Sequence, residues 1–196
     1  MNRTFTIASH AVIPAGEPPD VGFVPAIQRR RLSPLQKLYF ALAERLEGAK
    51  TLPAVFASRD GEDTLTRRIV DDFQSDGSVS PNRFSSSVYN AAPGLWSVFA
   101  ANRSPYTAVA GGEDTVEVGL MEALLPGGGA FFVYAEETGG GYAAAAVFAP
   151  DGAEGVRVTM TDGDRARGPV GWDDLCRFLS GEADALRGRY LTLCRA

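Results

Sequence analysis

The chain opens on a segment where apolar residues sit among small ones, with Phe5, Ile7, Val12 and Ile13 inside Phe5–Ile13, and this predicts a strand. Pro14, Gly16, Pro18, Pro19 and Pro25 follow and mark a loop. The period then changes. Leu35, Leu38, Tyr39, Leu42 and Leu46 recur at helical spacing behind Ser33 as N-cap and Pro34 at the first helical position, and Gly48 ends the run. Leu52–Ala57 is short, apolar and branched at its centre, as a buried strand requires. Ser58–Glu62 turns the chain into a helix over Asp63–Phe73, and 75–81 is loop. Val88–Ala100 predicts a small-residue helix with an irregularity at Pro93 and Gly94. Tyr106–Ala110 predicts a strand, Gly111 and Gly112 a tight turn, and Glu113–Leu125 a helix whose acidic first turn suits the macrodipole. Ala130–Ala135 and Tyr142–Phe148 flank a glycine-rich turn as an antiparallel hairpin, and Val156–Met160 adds a strand. Trp172–Leu179 and Ala183–Leu193 read as terminal helix broken at Gly181.

Strands and helices alternating in this order predict an α/β fold, a mixed sheet with helices on both faces, as one domain over residues 1–196. Composition supports a packed core: 45% of the residues are hydrophobic and 22% charged. Charge narrows the partners. With 19 Lys and Arg against 24 Asp and Glu the chain carries −5, a poor match for a nucleic-acid backbone. No apolar run reaches the length of a membrane span, and the first ten residues lack a signal-peptide core, so a cytoplasmic protein is expected. Cys176 and Cys194 have neither zinc nor CxxC spacing, so no metal or cofactor is expected. His10 is the only histidine, which excludes any mechanism that needs two imidazoles from this chain.

Few constellations could carry chemistry. Ser85, Ser86 and Ser87 lack a Gly-x-Ser-x-Gly context and read as helix-start residues. Glu136 and Glu137 are adjacent at a strand end and point to opposite faces, so they do not form an acid/base pair. The glycines at 127–129 and 139–141 are turns rather than phosphate cradles. Arg29, Arg30 and Arg31 read as a solvated loop before a helix. The informative passage is the strand–turn–helix over 106–125, the geometry of a nucleophile elbow. Here it delivers Glu113 and Asp114, neither a thiol nor a hydroxyl.

Ser80-Pro81-x-x-Phe84-Ser85-x-Ser87-Val88-Tyr89-Asn90-Ala91-Ala92-x-Gly94, followed by Ser97, Pro105 and Ala110-Gly111, resembles the N-terminal half of β-ketoacyl synthases. Arg29–Ser33 and Ser58-Arg59-x-Gly61-Glu62 add to the likeness, which covers most of residues 5–150. It is strongest to the short β-ketoacyl synthase-like, N-terminal domain proteins found with aryl polyene and type II polyketide genes. Those relatives commonly have a histidine in the Ser-Val-His-Asn-Ala motif, where this chain has Tyr89. The resemblance implies half of a thiolase-like fold, with Arg59, Glu62, Ser87, Tyr89, Asn90 and Gly94 as its motif residues. It places Glu113 where the family's nucleophilic cysteine stands. The implied role is therefore a non-catalytic, chain-length-factor-like subunit that pairs with a catalytic ketosynthase and shapes its acyl tunnel. By the same mapping Pro105, Tyr106 and Val109 belong to a strand that pairs across the dimer, and Leu95, Trp96 and Phe99 to the tunnel wall. Two other readings stay open: a condensing or acyl-transfer enzyme using Ser87 or Tyr89, and a module that binds an acidic acyl carrier protein through Arg29–Arg31.

Overall fold

The computed structural model describes residues 2–196. One eight-stranded mixed sheet runs through it in the order β3-β2-β4-β5-β1-β6-β8-β7. The strands are β1 (Arg3–Ile13), β2 (Ala54–Ala57), β3 (Tyr106–Val109), β4 (Ala130–Glu136), β5 (Tyr142–Pro150), β6 (Val156–Asp162), β7 (Ala185–Arg187) and β8 (Leu191–Arg195). Pairing of β2 with β3 and β4 is parallel; every other pairing is antiparallel. The helices are α1 (Ala26–Arg29), α2 (Pro34–Arg45), α3 (Asp63–Asp76), α4 (Pro81–Ser86), α5 (Ala91–Phe99), α6 (Thr115–Leu124) and α7 (Trp172–Ser180).

Helices cover both faces, as the pattern predicts. On β2, Ala54 and Phe56 join the core beneath α2 and α5, while Val55 and Ala57 face the core beneath α6 and α7. On β4, Phe131 and Val133 share the first face and Phe132 and Tyr134 the second. Central strands buried on both faces must be apolar throughout, and each fully buried Leu or Phe contributes about 1.5–3 kcal/mol. Ser33 caps α2 as expected. Its hydroxyl accepts from the Gln36 N–H at 3.0 Å and the Gln36 side chain accepts from the Ser33 N–H at 3.1 Å, a complete capping box with Pro34 just inside it.

Apart from the four-residue helix α1, which puts Arg29 in a helix rather than in the expected loop, two regions depart from the pattern. Ala183–Leu193 is not helix but the β7–β8 hairpin. Leu186, Leu191 and Leu193 are buried on one side of it, so strand alternation overrides the helical preference of a leucine-rich run. The turn is anchored from a distant element. Glu117 of α6 is fully buried and accepts the backbone N–H groups of Arg189 (3.1 Å), Tyr190 (2.9 Å) and Leu191 (3.2 Å). A Cβ on Gly188 would fall 2.0 Å from that carboxylate, so glycine is required there. The second departure is the Val88–Ala100 segment. Its helix starts only at Ala91, with Asn90 as N-cap, and a separate short helix, α4, precedes it, so Ser85, Ser86 and Ser87 close a helix rather than open one.

Candidate functional site

The carboxyl ends of the three parallel strands lie side by side, the place where open α/β sheets present functional groups. Three loops meet there: 58–62 after β2, 110–114 after β3, and 136–141 after β4. Arg59 and Glu62 lie in the first of them, Glu113 lies in the second, and Tyr89 packs against Gly61 of the first.

A buried carboxylate organises the first loop. Glu136 accepts from the Ser58 hydroxyl at 3.0 Å, from the Asp60 N–H at 3.2 Å, and from the Arg59 N–H. Burial raises its pKa, and these three donors oppose the rise. Ser58 Oγ in turn accepts the Gly61 N–H at 2.9 Å. Gly61 sits at φ +62°, and a Cβ there would meet the Tyr89 ring at 2.7 Å, so the loop and the aromatic ring demand glycine for separate reasons. The Arg59 side chain leaves the site and forms a two-point pair with Asp60 at 3.0 and 3.1 Å. Glu137 goes elsewhere than its neighbour, accepting the Thr64 N–H at the start of α3. The two adjacent glutamates thus serve different loops.

Glu62 is the more unusual group. One oxygen accepts from Gln36 Nε2 at 2.8 Å; the other is buried without a partner among the described residues. Burial pushes its pKa up to about 7. Gln36 also donates to the Ser86 carbonyl at 3.2 Å, so the α2 capping box ties the family loop to the end of α4. Ser87 spends its hydroxyl proton on the Phe84 carbonyl at 2.9 Å. The Tyr89 hydroxyl is buried without a hydrogen-bond partner among the described residues, and burial raises its pKa to about 12. Neither arrangement activates an oxygen nucleophile.

The elbow lies where the sequence places it. β3 ends at Val109, Gly112 takes φ +60°, and a single 3₁₀ turn over Gly112–Asp114 leads into α6. Thr115 Oγ1 locks the turn by accepting the Gly111 N–H at 3.0 Å and donating to the Gly112 carbonyl at 2.7 Å. Glu113 stands exposed at the tip, while Asp114 pairs with Arg189 at 3.1 Å. His10 lies on β1, four strand spacings from β3, a separation of about 19 Å. Cys194 is on β8 and Cys176 on α7, where burial pushes its thiol up to about 12. The structure therefore brings neither the histidine nor a cysteine to the elbow.

The aromatic residues of α5 divide. Trp96 is 1% exposed and belongs to the core: its indole N–H donates to the Ala49 carbonyl at 2.9 Å and its ring meets Phe40 edge-on at 5.2 Å. Leu95 and Phe99 instead line a mostly apolar groove of about 810 Å³, together with Val24, Leu32, Phe40 and Leu65. Val98 also lines it and is 82% exposed, and Phe84, on α4, is 62% exposed. Gly94 lets α5 approach β3, since a Cβ there would meet the Tyr106 hydroxyl at 3.1 Å. Asn90 is exposed and its carbonyl accepts the Gly94 N–H at 3.1 Å.

β3 itself is a sheet edge. The Ala54 N–H donates to the Pro105 carbonyl and the Ser58 N–H to the Val109 carbonyl. Parallel alternation therefore turns the N–H and C=O of Tyr106 and Ala108 outward, away from β2. Pro105 and Tyr106 are exposed and Val109 is half-buried. The sequence contained no signal for the Glu62–Gln36–Ser86 link or for the Glu136 staple, because each joins residues far apart in the chain. Hydrophobic patterning marks only local structure.

The wider relationships agree with this geometry. The model of the β-ketoacyl synthase, N-terminal domain matches residues 6–126. No curated protein matches. Among solved structures, one described as a ketosynthase, ApeO, in complex with its chain length factor, ApeC, from Xenorhabdus doucetiae aligns with a TM-score of 0.77. The identity is 20%, over 98% of this chain and 99% of that one. The ishigamide ketosynthase/chain length factor gives a TM-score of 0.60 at 12% identity, over 81% and 67% of the two chains. AntDE:AntF, a type II polyketide synthase acyl carrier protein in complex with its ketosynthase bound to the hexaketide, gives 0.66 at 11%, over 83% and 69%. These likenesses show a common thiolase-like fold, and with the family match over residues 6–126 they place the chain in the β-ketoacyl synthase, N-terminal domain family.

Proposed function

We propose that this protein is a non-catalytic, chain-length-factor-type companion of a catalytic ketosynthase, one β-ketoacyl-synthase-N-terminal-like domain over 1–196 working in the cytoplasm. Its setting is polyketide or fatty-acid-like synthesis of the aryl polyene kind. The observation that carries the reading is the open β3 edge beside an apolar helix face, at the end of a strand whose elbow presents Glu113 instead of sulfur. An unpaired, uncharged edge attracts another strand, and a partner strand on Tyr106 and Ala108 would satisfy it. Pro105, Tyr106 and Val109 then form the pairing edge, and Leu95 and Phe99 face the acyl tunnel, with Trp96 stiffening α5 from behind. A carboxylate at the tip forms no stable thioester-like acyl intermediate of the kind a condensing cysteine holds. The solved complexes named above pair ketosynthases with chain length factors or carrier proteins, which supports the same assembly here. An acyl carrier protein is the expected visitor of the assembled pair.

Co-expression with a catalytic ketosynthase of the same organism is expected to yield a one-to-one complex on size-exclusion chromatography with light scattering. Two separately eluting species overturn the pairing. Intact mass after incubation with acyl carrier substrates is expected to show acylation of the partner alone. A covalent adduct on this chain overturns the non-catalytic role.

A further inference from the structure

A second cavity, remote from β3 in the sheet, brings three arginines together. It measures about 550 Å³ and is lined by Arg167, Arg177 and Arg187, with Asp174 and a wall that includes Pro169 and Leu186. Some arginines elsewhere find carboxylates, Arg45 with Glu17 at 3.9 Å, Arg67 with Asp63 at 2.7 Å and Arg157 with Asp151 at 2.6 Å, while others, such as Arg30 and Arg68, form no ion pair among the described residues. What sets Arg167, Arg177 and Arg187 apart is that they share one cavity. Arg167, Arg177 and Arg187 form no ion pair among the described residues, in a chain with more acid than base. Asp174, the carboxylate on the wall, accepts the Gly171 N–H at 3.0 Å as part of the α7 start.

The three arginines come from three separately anchored elements. Arg167 sits in a loop bound to the β7–β8 turn through Gly163 N–H to the Tyr190 carbonyl (3.1 Å) and Asp164 N–H to the Gly188 carbonyl (3.0 Å). The Arg167 carbonyl also accepts from Arg189 Nε at 2.9 Å. Arg177 lies in the last turn of α7, its carbonyl accepting the Ala183 N–H at 2.9 Å, and Arg187 lies on β7. Their backbones are thus held while their side chains are exposed. Three like charges facing one cavity repel unless an anion sits between them. Three guanidinium charges against one carboxylate leave a surplus of two, which matches a phosphate dianion, and guanidinium donors fit phosphate oxygens in paired fashion. The volume is that of a small-molecule site rather than a macromolecular face.

We infer that this cavity binds a phosphate-bearing small molecule, with Arg167, Arg177 and Arg187 as its ligating side chains. The assignment is independent of the companion role and lies beyond the segment matched by the family model. Isothermal titration with inorganic pyrophosphate, inorganic phosphate and glycerol 3-phosphate, at about 0.1 M salt, tests it and separates a free anion from an organic phosphate. Saturable one-to-one binding of at least one of the three is expected. R177E and R187E are each expected to weaken it about tenfold or more, and R30E, on an exposed arginine elsewhere, to leave it unchanged. Should a charge reversal unfold the chain by circular dichroism, R177Q and R187Q carry the same expectation. Absence of saturable binding, equal weakening by R30E, or insensitivity to both cavity variants overturns the assignment. A polyglutamate peptide that binds as tightly as pyrophosphate also overturns it, in favour of an acidic protein partner.

Discussion

β3 and β7 both end the sheet, and they end it differently. β7 is three residues long, carries Arg187, follows Asp184, and lies against α7. Those are the features that discourage a foreign strand: little length and exposed charge. β3 reads Tyr106-Thr107-Ala108-Val109, without a charge, and its neighbour α5 exposes Leu95 and Val98. One edge is protected by its own chemistry, and the other is left open to a partner. The contrast separates a terminus of the fold from an unfinished interface.

The largest expected effect breaks this contrast directly. Ala108→Pro removes an outward N–H while sparing the bonds to β2, so the chain stays folded by circular dichroism and its complex with the ketosynthase is abolished in light scattering. The matching change at the other edge, Ala185→Pro, removes an outward N–H of β7 and is expected to leave the complex intact. Loss with both variants, or with neither, sinks the edge assignment.

Next in size are effects on the helix that backs the open edge. Trp96→Ala is expected to cost about 3–5 kcal/mol in urea unfolding, because it empties a core site and leaves the Ala49 carbonyl to Asn102 alone. Val98→Ala, two positions on, should stay within about 0.5 kcal/mol yet weaken the complex. On the protected side, Glu117→Ala strips three backbone donors of their acceptor in the β7–β8 turn and is expected to cost about 3 kcal/mol. Hydrogen exchange should then show that hairpin opening before the β2–β4 centre.

The remaining effect is a pH dependence. Folding raises the Glu62 pKa to about 7 from the 4.5 of an unhindered glutamate, so the folded state holds this proton more tightly than the unfolded chain. Its contribution is complete below about pH 4.5 and is lost as pH rises through about 7. Glu62→Gln should therefore stabilise the fold at pH 8, by an amount on the order of 2 kcal/mol, and change little at pH 4. Equal effects at both pH values would reject a buried, proton-holding Glu62.

Much of the architecture is legible in the sequence alone. The strands β2, β4 and β5, the capped helix α2 and the strand–turn–helix at the elbow follow from apolar runs and from Ser33, Pro34, Gly111 and Gly112. The β7–β8 hairpin was not, because its leucines satisfy helical and strand spacing alike, and the deciding contact is Glu117, far away in the chain. Tyr89 and Glu62 stood out only through the family likeness. Their burial, and the glycine that Tyr89 imposes at position 61, required the fold.

By itself the sequence determined the alternation of elements, the acidic tip at Glu113, and the scarcity of histidine and sulfur, since these depend on residue identity and short-range spacing. Only the tertiary structure decided that Trp96 is core while Leu95 and Phe99 line a groove, that β3 is an edge, and that three arginines share one cavity. Those outcomes rest on contacts between segments distant in the chain, where packing and hydrogen-bond satisfaction choose among faces that local preference leaves equivalent.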